Sequence, residues 1–220
     1  MDIIEQSHKI LTRIDKRAIY EAIEIAGRTA YKSEDKITEG SAEKFIASIV
    51  ARGHESVLEH VSISVRFITD RGVTHELVRH RLCAYTQEST RYCNYAKKGM
   101  HFIKPVFWNL TTDKIGDTGT NPYAQWVIHM VQSELTYNFM INKLGASPQE
   151  ARTVLPNSLK TEIVCTANIR EWRHILRLRT SSTAHPQIRA LMLPLLDELK
   201  KKLPALFGDI NIEEVSNGKA

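Results

Sequence analysis

The sequence predicts a single α+β domain spanning residues 1–220, in which helices pack around a mostly antiparallel, twisted sheet. A chain of 220 residues is long enough to bury one sizeable core. Two segments carry strand patterns, whereas most of the others repeat their apolar residues every three or four positions, as amphipathic helices do. No G-x-G-x-x-G motif follows a predicted strand, so we do not expect a doubly wound dinucleotide-binding sheet.

The first half of the chain predicts three helices and one strand. Residues Asp15–Lys32 show helical periodicity, and Ser41 is expected to cap a second helix that Gly53 ends. Apolar and polar residues alternate over Val61–Phe67, which indicates a half-buried strand. A helix from Val73 to about Arg81 follows, and the polar segment after it is predicted to be a loop or a distorted helix end.

The middle of the chain contains the clearest start signals for helices. Residues 111–120 are polar and contain glycine, which predicts a mobile surface loop. Asn121-Pro122 then opens a long helix, because proline is well suited to the first helical position. Ser147 begins a capping box, which places Arg152 on a short helix that Pro156 stops.

The last third predicts a strand followed by two helices. Residues Leu159–Ala167 are rich in β-branched and apolar side chains, and Asn168 can cap the helix that follows. Arg173 and Arg177 lie one turn apart on that helix, and we interpret them as a solvated face or a subunit contact. The final helix ends in Lys200–Lys202, where cations complement the helix dipole.

Composition and cysteine usage narrow the class of protein. The net charge of +5 and the pI near 9.1 favour anionic partners in general. Cys83, Cys93 and Cys165 form no CxxC pair, so we interpret them as reduced thiols and not as disulfides or zinc ligands. The sequence shows neither a signal-peptide pattern nor an apolar stretch long enough to span a membrane, so we expect a cytoplasmic protein.

Polar and charged side chains are most concentrated between Arg79 and Tyr92. Three arginines, together with Gln87, Glu88 and several hydroxyl groups, occupy this short segment. Arginine binds phosphates and carboxylates through its two-pronged guanidinium, and amides and hydroxyls can bind the edges of heterocycles. The segment therefore indicates an anionic ligand that carries a ring. The alternative is a basic helix end followed by a solvated loop.

Arg79-His80-Arg81, seven residues and then Ser89 resemble the RHR-x7-S signature of flavin-dependent thymidylate synthases. The continuation through Arg91-Tyr92 resembles the S-x-R-Y of that family. Three further segments are similar to the family in the expected order, so the resemblance covers most of the chain: Gly53–His60, Ala151–Pro156 and Asn168–Arg179.

The resemblance implies an FAD site that lies outside any Rossmann motif. Ala30 stands where some members of the family have a serine near the flavin. The residues that the resemblance assigns to FAD are Ser56, Arg79, His80, Arg81, Gln87, Asn168, Arg170 and His174.

The resemblance also implies a site for dUMP. Arg179 would lie beside the uracil ring as a catalytic cation, and Ser89 would position the substrate without acting as a covalent nucleophile. Whether Gln87 or Glu88 meets the ligand stays open. The residues assigned to the nucleotide are Glu76, Leu77, Val78, Arg79, Gln87, Glu88, Ser89, Thr90, Arg91, Arg152 and Arg179.

The reaction implied is the reductive methylation of dUMP to dTMP. Methylenetetrahydrofolate would supply the carbon and NADPH would reduce the flavin, with no metal. The family works as a homotetramer whose active sites combine residues from several subunits, so some of these side chains are expected to act in trans. Neither nucleic acid nor a membrane is an expected partner.

Two other classes of protein share some of these features. His75-Glu76 with His80 resembles the HExxH motif of zinc hydrolases, but the two histidines are five positions apart and diverge by about 140° on a helix. A nucleic-acid-binding module would fit the basic pI and the segment from Arg91 to Tyr95. The chain lacks the RNP and zinc-finger patterns of such modules.

Overall fold

The computed structural model describes residues 1–108 and 121–212, and the segment 111–120 that we predicted as a mobile loop lies outside them. The described helices are α1 (Lys16–Thr29), α2 (Ser41–Ala51), α3 (Arg71–Leu77), α4 (Tyr95–Lys98), α5 (Pro122–Asn142), α6 (Pro148–Ala151), α7 (Ile169–Thr180), α8 (Pro186–Lys202) and α9 (Pro204–Phe207). Short 3₁₀ helices cover Glu34–Lys36, Glu55–His60 and Arg152–Val154.

The strands are β1 (Asp2–Ile4), β2 (Ser7–Ile10), β3 (Ser62–Asp70), β4 (Ala84–Gln87), β5 (His101–Ile103) and β6 (Lys160–Asn168). Four of them form an antiparallel sheet in the order β2-β3-β6-β4, and β1 pairs with β5 in parallel. The predicted combination of helices with a mostly antiparallel sheet is therefore confirmed.

The long strands β3 and β6 show why the alternating pattern was informative. On β3, Ile63, Val65 and Phe67 are fully buried, and on β6 the same holds for Ile163 and Cys165. Successive side chains of a strand point to opposite faces, so one face of each strand enters the core.

The local start signals of α5, α6 and α7 also act as predicted. Asn121 Oδ1 accepts from the Ala124 amide, Ser147 and Glu150 form a reciprocal capping box, and Asn168 Oδ1 accepts from the Glu171 amide. Each cap satisfies backbone N–H groups that the first turn of a helix leaves unpaired. Asn168 thereby joins β6 directly to α7.

Several boundaries differ from the prediction by a few residues, among them those of α2 and α3. The N-cap of α2 is Gly40, because the hydroxyl of Ser41 instead donates to Glu24 and accepts from the Thr38 amide. Helix α3 ends at Leu77, short of the predicted Arg81, and the polar segment after it contains strand β4.

The described chain forms two compact units. The first combines Met1–Ser7, Phe67–Arg79 and the described part of Thr86–Ile163, and the second combines His8–Arg66, His80–Tyr85 and the described residues from Val164 onward. That residues 1–220 act as one catalytic domain stays a prediction. No helix among the described residues is both long enough and apolar enough to cross a bilayer.

Each unit has its own buried core. In the first, α4 and α5 pack through Tyr95, Met130 and Tyr137, with Phe102 of β5 in the same cluster. In the second, α7 packs against α8, and the buried indole of Trp172 donates to the Ile63 carbonyl. That hydrogen bond ties α7 to β3 and so holds the helix that carries several predicted site residues.

Candidate active site

A cavity of about 760 Å³ opens in the second unit, and two residues of the predicted cofactor set line it. Ser56 comes from the 3₁₀ helix Glu55–His60, and Arg170 comes from the first turn of α7. Ala30, where some members of the resembled family have a serine, lines the same cavity. The cavity therefore joins residues from three distant parts of the sequence.

Gly53 gives the cavity wall its shape. It follows the C-cap of α2 with a φ of +71°, and His54 N bonds back to the Ile49 carbonyl. A left-handed glycine at this place closes a helix and redirects the chain, as we expected from the sequence. The chain passes directly from this turn into the 3₁₀ helix that carries Ser56.

Ion pairs fix the 3₁₀ helix against α7. Arg170 Nη1 lies 2.5 Å from Glu59 Oε1, and Arg173 Nε lies 3.1 Å from Glu55 Oε1. Arg173 also holds both carboxylate oxygens of Asp209 at 2.7 Å and donates to the Leu206 carbonyl.

Arg173 is fully buried, so our interpretation of it as a solvated or subunit-contact residue is wrong. A buried guanidinium needs partners of opposite charge, and two distant carboxylates provide them. Arg177 is 46% exposed and pairs with the same two carboxylates, so the solvated interpretation fits that residue alone.

Cations outnumber anions in the cavity wall. Arg28, Lys36, Arg52 and Arg170 face it with Glu55 as the carboxylate of the same wall. Arg28 is paired with Glu24 and lies 4.9 Å from the centre of the Phe45 ring. Clustered cations around a concave surface suit a phosphate-bearing ligand, so the wall fits an anionic cofactor such as FAD.

His80 is the centre of a second group of predicted residues in this unit. Its Nε2 accepts a hydrogen bond from Arg179 Nε at 3.1 Å, and its ring meets that of His174 edge-on with 5.7 Å between centroids. Tyr85 Oη donates to the His80 carbonyl at 3.0 Å. Residues about 100 positions apart therefore meet here, as the motif resemblance implied for His80 and His174.

The His80 imidazole is neutral in the folded protein. Burial, the Arg179 charge and His174, in that order, lower its pKa to about 4. Glu171 Oε1 lies 3.6 Å from the other ring nitrogen, Nδ1. Because burial and the neighbouring guanidinium outweigh this carboxylate, the contact joins a carboxylate to a neutral ring and is not an ion pair.

His80, Glu171 and His174 lie close enough together to suggest a metal site by distance alone. The hydrogen bond from Arg179 argues against it. A neutral imidazole that accepts on Nε2 must carry its proton on Nδ1, so neither nitrogen of His80 keeps a lone pair for a metal. The arrangement suits charge stabilisation better than metal binding.

In the first unit, Gln87 and Glu88 both enter internal networks. Gln87 Nε2 donates to Thr74 Oγ1 at 3.0 Å and to Thr161 Oγ1 at 3.3 Å, and both threonines are fully buried. Glu88 accepts from Tyr95 Oη and pairs with Lys160 at 3.1 Å. The two side chains therefore help to fix the end of β4, from which the Ser89–Arg91 segment continues.

Ser89 begins a tight turn. Its hydroxyl accepts from the Arg91 amide at 3.3 Å, and its carbonyl accepts from the amides of Tyr92 and Cys93. Thr90 is buried, whereas Arg91 is exposed with its guanidinium 5.4 Å from the centre of the Tyr92 ring. Such a turn presents a hydroxyl and a guanidinium at neighbouring positions.

The remaining predicted residues range from fully buried to exposed on the single chain. Leu77 is fully buried, which leaves its backbone for any ligand contact, and Glu76 is half-buried. The Asn168 oxygen caps α7, so any ligand contact through that side chain would use its NH₂ group. The exposed members of the predicted set are Ser56, Val78, Arg79, Arg81, Arg91, Arg152, Arg170 and His174.

Sequence reasoning missed several partners of these residues. Glu171 is not among the predicted site residues, but its side chain faces His80. Lys160 and Thr161 have no local signal, because their roles arise only when β4 and β6 pair, and Thr74 has none because its contact requires Gln87 of β4 to meet α3. Tyr85 was visible inside the motif, but nothing in its neighbours indicated a bond to the His80 carbonyl.

The chain matches the family model described as "Thymidylate synthase complementing protein" over residues 14–205. A flavin-dependent thymidylate synthase from Corynebacterium efficiens is 33% identical over 216 residues, covering 89% of this chain and 81% of the relative. The enzyme of the same name from Mycobacterium tuberculosis H37Rv is 33% identical over 206 residues, with the same coverage.

Solved structures share the fold. The UMP/dUMP methylase PolB from Streptomyces cacaoi, bound with 5-Br dUMP, superimposes with a TM-score of 0.74 at 23% identity, over 94% of this chain and 96% of that one. Its complex with 5-Br UMP gives 0.73 at 18% identity. The family match and the identity to curated relatives both extend over most of the chain, and the chain therefore belongs to the flavin-dependent thymidylate synthase family of enzymes.

Proposed function

We propose that this chain catalyses the FAD-dependent reductive methylation of dUMP to dTMP, with methylenetetrahydrofolate as carbon donor and NADPH as reductant. Family membership supports the reaction class, and the fold shared with a UMP/dUMP methylase bound with 5-Br dUMP supports the substrate. The observation that carries the proposal is the meeting of His80 and His174 with Arg179, in the same unit as a cation-lined cavity.

The residues assigned to the cofactor fit an anionic flavin. Ser56 and Arg170 line the 760 Å³ cavity, and exchange of Glu59 for a phosphate would leave the Arg170 charge satisfied. When bound, reduced FAD supplies the hydride, while the folate supplies the carbon. The other proposed contacts to it are Arg79, His80, Arg81, Gln87, Asn168 and His174.

The nucleotide is proposed to bind through two kinds of contact. Ser89 and Arg91 hold the phosphate from the turn that begins at Ser89, because a hydroxyl and a guanidinium both donate to phosphate oxygens. Arg179 faces the uracil ring, where a fixed cation stabilises negative charge that develops on the pyrimidine. His80 accepts from Nε of Arg179, which restricts the rotation of that guanidinium.

The remaining proposed contacts to the nucleotide rest on the motif resemblance. They are Glu76, Leu77, Val78, Arg79, Gln87, Glu88, Thr90 and Arg152.

We further propose a cytoplasmic homotetramer with shared active sites. Helix α5 has an apolar stripe on its outer side: Ile128, Val131, Leu135 and Phe139 follow each other at helical spacing and are 38–58% exposed on the single chain. Monomeric proteins rarely expose such a continuous apolar surface. A partner subunit would cover it and could bring exposed arginines such as Arg152 to a shared site.

The test combines a spectrum with an assay. We expect the purified protein to show flavin absorbance and to release tritium from C5-labelled dUMP only when NADPH and methylenetetrahydrofolate are both present. An Arg179→Leu variant should bind FAD but release little tritium, while Arg17→Leu on the exposed side of α1 should match the wild type. A colourless protein that releases no label after FAD is added would refute the proposal.

A further inference from the structure

Glu171 has no part in the chemistry proposed above, although it lies at the centre of the site. It occupies the third position of α7, its side chain is almost entirely buried at 9% exposure, and its Oε1 lies 3.6 Å from His80 Nδ1. A buried carboxylate costs free energy unless polar groups compensate it. A buried acid beside the motif histidine therefore calls for a physical reason.

The hydrogen bond between Arg179 and His80 determines where the histidine proton is. Arginine can only donate, so His80 Nε2 must present a lone pair to Arg179 Nε. A neutral imidazole carries one proton, which then lies on Nδ1 and points toward Glu171. At 3.6 Å the carboxylate is too far away for a hydrogen bond, but it stabilises this Nδ1–H tautomer electrostatically, because the positive end of the N–H dipole points toward it.

The other tautomer would disturb Arg179. With the proton on Nε2, two N–H groups would face each other across 3.1 Å, and the guanidinium would have to turn away from its present direction. A cation that stabilises a developing negative charge must be held in place before the reaction, because reorientation during the reaction costs activation free energy. The tautomer of His80 therefore determines whether the Arg179 guanidinium keeps its present orientation.

We infer that Glu171 is a positioning residue. It holds His80 as the Nδ1–H tautomer, and His80 in turn fixes the orientation of the Arg179 guanidinium toward the substrate. The structural observation stands on its own, while the consequence for turnover rests on the proposed function.

A purely structural role for Glu171 makes a different prediction. A carboxylate in the first turn of a helix also stabilises that helix through its dipole, and this effect needs the negative charge. Tautomer selection does not need the full charge, because the partial negative charge of an amide oxygen near Nδ1 also favours an N–H group there over a lone pair. Glu171→Gln removes the charge and keeps an acceptor, whereas Glu171→Leu removes both, so the pair of variants separates the two roles.

The experiment measures the tautomer directly. Histidine labelled with ¹⁵N on both ring nitrogens is incorporated, and the ring resonances are recorded at pH 7, with His80→Gln identifying the His80 signal. We expect Nδ1–H in the wild type and in Glu171→Gln, and a shift of population toward Nε2–H in Glu171→Leu. Asp197→Asn, at an exposed carboxylate on α8, should leave the signal unchanged.

Turnover is measured on the same preparations. Glu171→Leu should lower kcat by about 10- to 100-fold, in the range found when a group that orients a functional side chain is lost, with a smaller change in the KM for dUMP. Glu171→Gln should retain most of kcat. Because the NMR signal does not depend on dUMP chemistry, a protein that fails the tritium assay can still confirm or refute the tautomer.

Three results would overturn the inference. One is an Nε2–H tautomer in the wild type, which needs no variant to fold. Another is a Glu171→Leu protein that keeps both the Nδ1–H tautomer and the wild-type kcat. The third is an equal loss of kcat in Glu171→Gln and Glu171→Leu, which would assign the effect to charge.

Discussion

His80 is held neutral by its surroundings, with its pKa lowered from 6.5 to about 4 by burial, Arg179 and His174. Between those values the unfolded chain binds a proton that the folded chain does not. The free energy of unfolding therefore falls as the pH drops from 6.5 to 4, by at most about 3 to 4 kcal/mol, since one pKa unit corresponds to about 1.4 kcal/mol.

Urea unfolding across this pH range measures the effect. We expect His80→Gln to show a weaker pH dependence than the wild type, while the exposed His75→Gln keeps the wild-type slope. Asp209 does not interfere, because Arg173 lowers the pKa of its carboxyl below 3.8 and its contribution is lost only under more acidic conditions. An unchanged slope in His80→Gln would contradict the assignment.

Ser89 is predicted to position the nucleotide and not to attack it. Its hydroxyl accepts from the Arg91 amide, so it helps to shape the turn that presents Arg91. We expect Ser89→Ala to raise the KM for dUMP and to keep measurable turnover in steady-state assays. A variant with normal binding of dUMP and FAD but no turnover would make Ser89 a chemical participant.

At the scale of elements, helix α7 is attached to its surroundings by ion pairs along one face. Arg170, Arg173 and Arg177 lie three and four positions apart, and they pair with Glu55, Glu59 and Asp209. Removing Asp209 takes two hydrogen bonds from the buried Arg173 but leaves its pair with Glu55. Because Asp209 is itself 44% exposed, we expect Asp209→Ala to lower the free energy of unfolding by about 2 kcal/mol in urea titrations, less than for a fully buried pair.

The control for that variant is Asp197→Ala, which breaks an exposed pair with Lys201 one turn away. Such exposed pairs contribute only about 0.5 kcal/mol or less. Equal effects of the two substitutions would show that the buried network around Arg173 stabilises the fold no more than an exposed pair does.

Because Glu55 precedes Ser56 and pairs with the same arginine as Asp209, we also expect Asp209→Ala to weaken FAD binding.

Elements with local signals could be predicted from the sequence, and those with long-range causes could not. Asn121, Ser147 and Asn168 carry their capping groups next to the helices that they start, and all three caps form. Strands β1 and β5 have three residues each and depend on a partner about 100 positions away. The helical spacing of Arg173 and Arg177 is also a local pattern. The two carboxylates that pair with Arg173, those of Glu55 and Asp209, are distant from it in the sequence.

The same division holds for the site. The RHR-x7-S resemblance indicates His80, His174 and Arg179 from their positions in the sequence, and the three side chains do converge in the fold. It could not indicate Glu171 as the group behind His80, because that contact depends on how α7 leaves β6. Motifs report the residues that meet a ligand, whereas the groups that orient them follow from the packing.

At the scale of the whole molecule, the exposed apolar stripe on α5 gives a way to test the proposed homotetramer. We expect Leu135→Glu to lower the mass measured by light scattering from that of a tetramer to that of a smaller species, since a charge there would be buried between subunits. Ile25→Glu, at an equally exposed apolar position on α1, is the control. An unchanged mass in Leu135→Glu would place the interface elsewhere.

The parallel pairing of β1 with β5 also constrains the order in which the chain can fold. Asp2 pairs with His101, and Phe102 bridges to Leu159, so β1 can pair only after residues about 100 positions later have been synthesised. Closing such large loops is slow compared with forming neighbouring helices. In pulse-labelled hydrogen exchange during refolding, amides of α7 and α8 should gain protection well before those of β1, and nascent chains should depend on chaperones until β5 and β6 are made.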